Sequence, residues 1–279
     1  MFSVIAAGGS TGAVVGPLLT TVLTYAVPIP VLMLVSTGVL AICWFCIRGL
    51  DCWSKQRPAQ NIDRGGEAIG GGTWAGMRLA LSSPYLLGIC GYLFCLTTTA
   101  TFLYMEQTRL IGEQVVSPQG RTRLFAVMDL AVNVLTFVTQ FFITGPMIKR
   151  FGLVSALVVL PAVSVAGFTM IGLLPWLLVF ILFTVARRVG EYAIAKPARE
   201  VLFTVLTREE KYKAKNFIDT AVSRGGDAAT GWIVSMVKTL GVGVTQMVLV
   251  LIPLAGLWAW LGWSLAKQEE HIRIAKSNG

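Results

Sequence analysis

Residues 186–227 read ARRVGEYAIAKPAREVLFTVLTREEKYKAKNFIDTAVSRGGD, a charge-dense stretch wedged between two apolar ones of membrane-spanning length. From Arg187 to Asp227 it holds nine Lys/Arg and six Asp/Glu, while the spans elsewhere carry few charges. Ionisable side chains inside a bilayer are costly, and proteins that keep them use them mostly on substrate or ion paths. Function is therefore expected in this segment.

The rest of the composition agrees with a chain built for lipid. Of its 279 residues 55% are hydrophobic and only 13% charged, and the mean hydropathy is +0.71. A soluble domain carries about 25% charged residues. The expected class is all-α, a polytopic bundle of transmembrane helices. The net charge of +9 comes without a nucleic-acid-binding motif, so no nucleic-acid partner is expected. Basic residues in loops set membrane orientation instead. Met1 is followed by a span-length apolar stretch with no basic region before it, unlike a signal peptide.

A helix needs about 20 apolar residues to cross the hydrocarbon. Eight such stretches are expected, at 2–25, 30–48, 84–105, 124–146, 152–174, 176–196, 219–240 and 243–266. Pro175 sits where a helix would begin and Pro197 where one would end; Pro161 and Pro253 should kink their helices. With Met1 inside, nineteen of the 23 Lys/Arg fall on the inner side, and only Arg109, Arg121, Arg123 and Lys238 fall outside. Both termini are then cytoplasmic, in a cell inner membrane. The domain reading is 1–48 (two helices), 49–83 (a Gly-rich cytoplasmic linker ending in an interfacial helix), 84–266 (six helices) and 267–279 (a cytoplasmic tail).

No metal site and no cofactor are expected. Cys43, Cys46, Cys52, Cys90 and Cys95 lie in or beside apolar stretches as packing thiols, and the one histidine, His271, is in the tail. No G-x-S-x-G, HExxH, P-loop or Cys/His nucleophile pair is present, so no enzyme is expected.

The polar residues inside the spans are patterned. Asp129, Asn133, Thr136, Gln140 and Thr144 share one helical face for four turns. That face should line a cavity, with interhelical hydrogen bonding as the alternative. Around Pro197 stand Arg188, Glu191, Lys196, Arg199 and Glu200, while Arg187 reads as a self-neutralising anchor paired with Glu191. Lys215, Asp219, Ser223, Arg224 and Asp227 open the next span, beside Gly225 and Gly226.

Three features resemble the major facilitator superfamily, and the chain then corresponds to spans five to twelve of such a carrier. Gly8, Gly12, Gly16 and Pro17 form a glycine–proline ridge like that of exchangers in the superfamily. Gly145-Pro-Met-Ile-Lys149-Arg150-Phe-Gly152 resembles its loop motif, with Lys149 where an aspartate is usual. The linker 49–83 falls where the two halves of a facilitator are joined. Within that superfamily the stretch Lys196–Asp227 resembles the plastid and bacterial ATP/ADP antiporter-like nucleotide transporters. Lys196-Pro197-Ala198-Arg199-Glu200 is similar to their D-P-x-K-E, and Lys213-Ala-Lys215-Asn-Phe-Ile-Asp219 to their K-G-K-A-x-I-D. Gly225-Gly226-Asp227 stands where the family has a glycine-rich G-K-S-G.

The resemblance implies a carrier working by alternating access on a small, anionic, nucleotide-like solute. Its substrate residues would be Arg188, Lys196, Arg199, Glu200, Lys215, Asp219 and Arg224, with Asp129, Asn133, Gln140 and Glu191 lining or balancing the cavity. The rival expectations are a proton-coupled porter, with Asp129 or Glu191 as proton carrier, and a truncated membrane fragment that does not transport. A facilitator cavity lies between two six-helix halves, so transport would call for the four helices that this stretch lacks.

Overall fold

The computed structural model of the chain describes residues 2–56, 75–174 and 176–277; among these it is helical, with no strand. In chain order the elements are α1 (Phe2–Ala26), α2 (Ile29–Gln56), α3 (Ala75–Ser82), α4 (Pro84–Gln114), α5 (Pro118–Thr139), α6 (Gly145–Leu173), α7 (Leu177–Gly190), α8 (Lys196–Leu202), α9 (Arg208–Phe217), α10 (Ser223–Thr239) and α11 (Val244–Ser277). Three wide π-helical turns join some of them without a gap: π1 (Gln140–Thr144), π2 (Glu191–Ala195) and π3 (Ile218–Val222).

Four helical stretches are long and apolar enough to cross a membrane: Ile29–Trp53, Pro84–Gln114, Pro118–Leu173 and Val244–Lys276; Thr11–Ala26 is a shorter apolar helix. The other stretches expected as spans are helical but do not meet that length and composition. Helices run unbroken over 177–202 and 208–239, yet Arg187, Arg188 and Glu191 interrupt the first apolar run, and Arg224, Asp227 and Lys238 the second. The turn expected at 145–152 is helical as far as Gly152, so the first of the two expected helices runs on to that residue before the second begins. The break falls at Gly152 itself, with φ 73° and ψ −176°, a region that only glycine enters without strain. Helix α2 continues to Gln56, taking in the first part of the expected linker. The remainder of that linker, 57–74, and Pro175 lie outside the described residues. A short helix, α3, stands where the interfacial helix was expected.

The chain divides into two compact units, Met1–Gly72 with Val116–Val127, and Thr73–Val115 with Met128–Gly279. In the first, α1 and α2 are joined at Val27 and Pro28, and the guanidinium of Arg123 lies 3.4 Å from the ring centre of Tyr25. Helix α2 exposes apolar side chains on every face, among them Leu34, Leu40, Phe45 and Leu50.

The second unit holds two apolar clusters. One gathers Leu86, Ile89, Tyr92 and Leu93 of α4 with Leu157 and Leu160 of α6, Ala193 and Ala195 of π2, and Trp258 and Leu265 of α11. The other gathers Phe102 and Leu103 of α4 with Phe168 and Ile171 of α6, Phe180 and Phe183 of α7, Val234 of α10, and Val248 and Leu251 of α11. Between them the same helices carry a polar layer: Thr97, Thr98, Thr99 and Thr101 on α4, Ser164 on α6, Thr184 and Arg187 on α7, and Asp227 and Thr230 on α10.

Pro197, expected to end a helix, is passed by the unbroken stretch 177–202, and Pro161 and Pro253 lie inside α6 and α11. A proline in a helix lacks the N–H that would reach the carbonyl four residues back. For Pro161 that carbonyl belongs to Leu157, and the Tyr92 hydroxyl on α4 donates to it at 3.0 Å. The lost helical bond is thus replaced by one between helices.

Candidate functional site

Pro197 repeats the device where the charges gather. Its missing N–H leaves the Ala193 carbonyl, four residues back, without a helical donor, and the chain widens there into π2. Wide turns of this kind recur at functional sites. Gln140 Nε2 donates to the Tyr192 carbonyl at 3.4 Å, and Thr144 Oγ1 to that of Ala193 at 2.9 Å. Both donors come from π1, so the side chains of one wide turn bond the backbone carbonyls of the other. The far end of the polar face 129–144 therefore acts as interhelical glue. Its near end carries charge, since Asp129 Oδ1 accepts from Arg188 Nη1 at 2.6 Å. Asn133 is half-buried and Gln140 exposed.

Three of the five cations expected at the substrate site meet a carboxylate on another element. Arg188 on α7 pairs with Asp129 on α5. Arg199 on α8 pairs with Asp219 on π3 at 3.2 Å, and Lys215 on α9 with Glu200 on α8 at 2.6 Å. All three pairs are partly exposed, Arg199 least, at 15%. Lys196 and Arg224 are exposed and make no hydrogen bond or ion pair among the described residues. The cluster thus keeps two unbalanced cations beside three pairs whose carboxylates a competing anion can displace.

Arg187 is more than the self-neutralising anchor expected of it. Its side chain is 2% exposed, donating to Glu191 at 3.2 Å, to the Leu96 carbonyl at 2.9 Å and to Thr99 Oγ1 at 3.1 Å. The pairing with Glu191 at i,i+4 is as expected, but the guanidinium also clamps α7 to α4. Glu191 is thereby committed to a buried cation.

The loop before α9 is set by a capping box. Thr207 Oγ1 accepts from the Glu210 N–H at 3.3 Å, and the Glu210 carboxylate accepts from the Thr207 N–H at 3.0 Å and from its hydroxyl at 2.8 Å. These bonds, the backbone one foremost, hold the Glu210 carboxyl below the usual carboxylate range. The cap fixes where α9 starts and so brings Lys215 level with Glu200.

Two acidic positions were not expected as centres. Glu106, at the far end of α4, is fully buried; Arg109 holds it at 2.9 Å, and Lys238 of α10 also pairs with it. The signal was available, because two of the four cations assigned to the outer side converge on it. Asp227 accepts from Thr101 Oγ1 at 2.8 Å. Beside it Gly226 lets α10 approach so closely that an added Cβ would collide with the Thr97 hydroxyl. A cavity of about 240 Å³ between α4, α10 and α11 is lined by apolar side chains apart from Thr98, Thr230 and Gln246, with no cation to hold an anion.

No protein-family model, no curated protein and no solved structure matches this chain.

Proposed function

We propose that the chain is part or all of a membrane carrier of the major facilitator type, equivalent to spans five to twelve, moving a small anionic, nucleotide-like solute by alternating access. It would lie in a cell inner membrane with eight spans and both termini cytoplasmic. The observation that carries the reading is the paired cluster: Arg188, Arg199 and Lys215 each sit on a carboxylate from another element, next to the unbalanced Lys196 and Arg224.

A solute phosphate offers what Asp129, Asp219 and Glu200 offer, namely anionic oxygens within reach of Arg and Lys, and in the case of Arg a bidentate partner. Exchanging one set of oxygens for the other releases the carboxylates and with them the links α5–α7, α8–π3 and α8–α9. Binding is thereby tied to loosening of the helices around the site. The two cations in excess bias the exchange towards the solute.

The test is counterflow of labelled ADP against internal ATP in liposomes containing the chain, alone and together with the helices of a first half. The expected result is counterflow that is lost in Arg188→Ala and in Arg199→Ala. Charge reversal (Arg199→Asp with Asp219→Arg) should restore folding but not flux. Absence of counterflow in the unaltered protein, or flux untouched by Arg199→Ala, refutes the reading and favours a membrane element without transport.

A further inference from the structure

Three helix faces close around the cavity between α4, α10 and α11, and each follows from residue spacing. On α4, Phe94, Thr98 and Phe102 recur every four residues, and on α10, Thr230, Val234 and Val237 fall at steps of four and three. Helix α11 adds Met247 and Leu251, again four apart. From Thr230 to Val237 the cavity runs for about 10 Å along α10. Its volume is about 240 Å³, and among the described residues no ionisable side chain lines it.

We infer that this cavity binds a small, neutral, lipid-soluble molecule carrying one carbonyl-type acceptor, with the Thr98–Thr230 hydroxyl pair as its anchor. The site is separate from the charged cluster, and it stands whether or not the chain is a carrier. An apolar cavity of about 150 Å³ stays dry and takes up benzene, and drug-sized ligands occupy about 300–1,000 Å³. The volume here lies between the two and suits a ring with a short substituent. A nucleotide is too large, and its phosphates would meet no cation.

The hydroxyl pair supplies the polar contact. Thr230 Oγ1 donates to Thr98 Oγ1 at 3.2 Å. Each threonine hydroxyl has one hydrogen, so this bond uses one of the two and leaves the other without an acceptor among the described residues. Thr230 is buried and Thr98 half-buried, and a donor kept from water without an acceptor is unfavourable. A ligand carbonyl oxygen meets that need. The neighbouring Thr97 and Thr99 have no such surplus, because their hydroxyls donate to carbonyls of their own helix.

The mouth fixes the route of entry. Its rim carries the exposed apolar side chains Phe94, Ile233 and Val250, while Val234, Met247 and Leu251 are buried at the back. Helices α4 and α11 both belong to stretches long and apolar enough to span a membrane, so in a bilayer the ligand arrives from the hydrocarbon. A lipid acyl chain would suit the apolar wall but offers the hydroxyl pair nothing. Once bound, the ligand touches all three helices, and a molecule that binds only their assembled faces stabilises that packing.

The test uses benzophenone, an aromatic ketone that bonds to neighbouring C–H groups under ultraviolet light, on the chain in liposomes. Labelling should saturate, and peptide mass spectrometry should map it to Met247 and the side chains around it. Butyrophenone should displace the label about fivefold more effectively than butylbenzene, which has the same ring and chain length but no carbonyl. Thr98→Val with Thr230→Val removes both hydroxyls at nearly constant shape and should weaken apparent affinity about five- to tenfold. Val237→Phe fills the cavity and should abolish labelling at Met247; should that variant not fold, the double threonine variant decides. Labelling that does not saturate, or affinity unchanged in the double variant, overturns the proposal. Equal displacement by the two competitors overturns it as well and assigns the cavity to a lipid acyl chain.

Discussion

Replacing Tyr92 by Phe removes one oxygen from the centre of an apolar cluster and leaves the Leu157 carbonyl without its partner. Tyr92 and Leu157 are both fully buried, and their hydrogen bond is 3.0 Å long. A buried carbonyl left unsatisfied costs about 1–3 kcal/mol. Interhelical hydrogen bonds within membranes average about 0.6 and reach about 1.7 kcal/mol. The overlap puts the loss at about 1–1.7 kcal/mol, roughly a tenfold shift in the unfolding constant. The reasoning is tested by repeating the substitution in Pro161→Ala, where residue 161 regains an N–H and can bond the Leu157 carbonyl itself. There Tyr92→Phe should cost less than about 0.5 kcal/mol, a coupling large enough to measure in a double-mutant cycle. The Tyr92–Trp258 ring contact at 5.5 Å is kept throughout and cancels. Reversible unfolding in mixed detergent micelles, followed by far-UV circular dichroism, supplies the four values. Equal losses in both backgrounds would refute the claim that the hydroxyl replaces the proline's missing donor.

Removing the Arg187 guanidinium leaves Glu191 uncompensated, so Arg187→Ala should cost about 3–5 kcal/mol, while Arg187→Met with Glu191→Gln should recover most of it in the same unfolding assay. Gly226→Ala should cost about 1–3 kcal/mol through crowding against Thr97, and Thr97→Ala introduced alongside should relieve it. Thr207→Ala should cost about 1 kcal/mol of helix stability at the start of α9, seen as faster amide exchange there. The Glu210 side of that cap titrates. Its carboxyl is lowered in the folded chain, so its contribution is complete above the ordinary glutamate value and fades as pH falls through the lowered folded value. Amide exchange at α9, corrected for the intrinsic pH effect, should rise only in that acid range, and the rise should vanish in Glu210→Gln.

Much of this molecule is readable from its residues because lipid imposes strong rules. The helical class and the polar face from Asp129 to Thr144 follow from period and composition. The partners of that face do not. Asp129 meets Arg188 across 59 positions of chain, and Thr101 meets Asp227 across 126. Periodicity says which side of a helix is polar but not which other helix lies against it. Arg187 shows the same limit, since a charge at the end of an apolar run looks solvated until a neighbouring helix covers it. The late break between the two helices of Pro118–Leu173 has a different cause. Gly145 and Pro146 read as a turn, but the wide turn π1 just before them carries the helix through, and it breaks only where Gly152 adopts a positive φ.

The three π-helical turns have one more consequence. Each holds one residue more than an ordinary helix needs for the same climb, so every side chain beyond it is turned by about 100° from where a regular repeat would put it. A stripe drawn from α7 straight into α8 is out of phase after Ala195, and that offset helps aim Arg199 at Asp219. Deleting a single residue between 191 and 195 would heal the bulge and swing the second half of the rod round by more than a quarter circle. The contacts of Arg199 would be dismantled without any of its neighbours being altered.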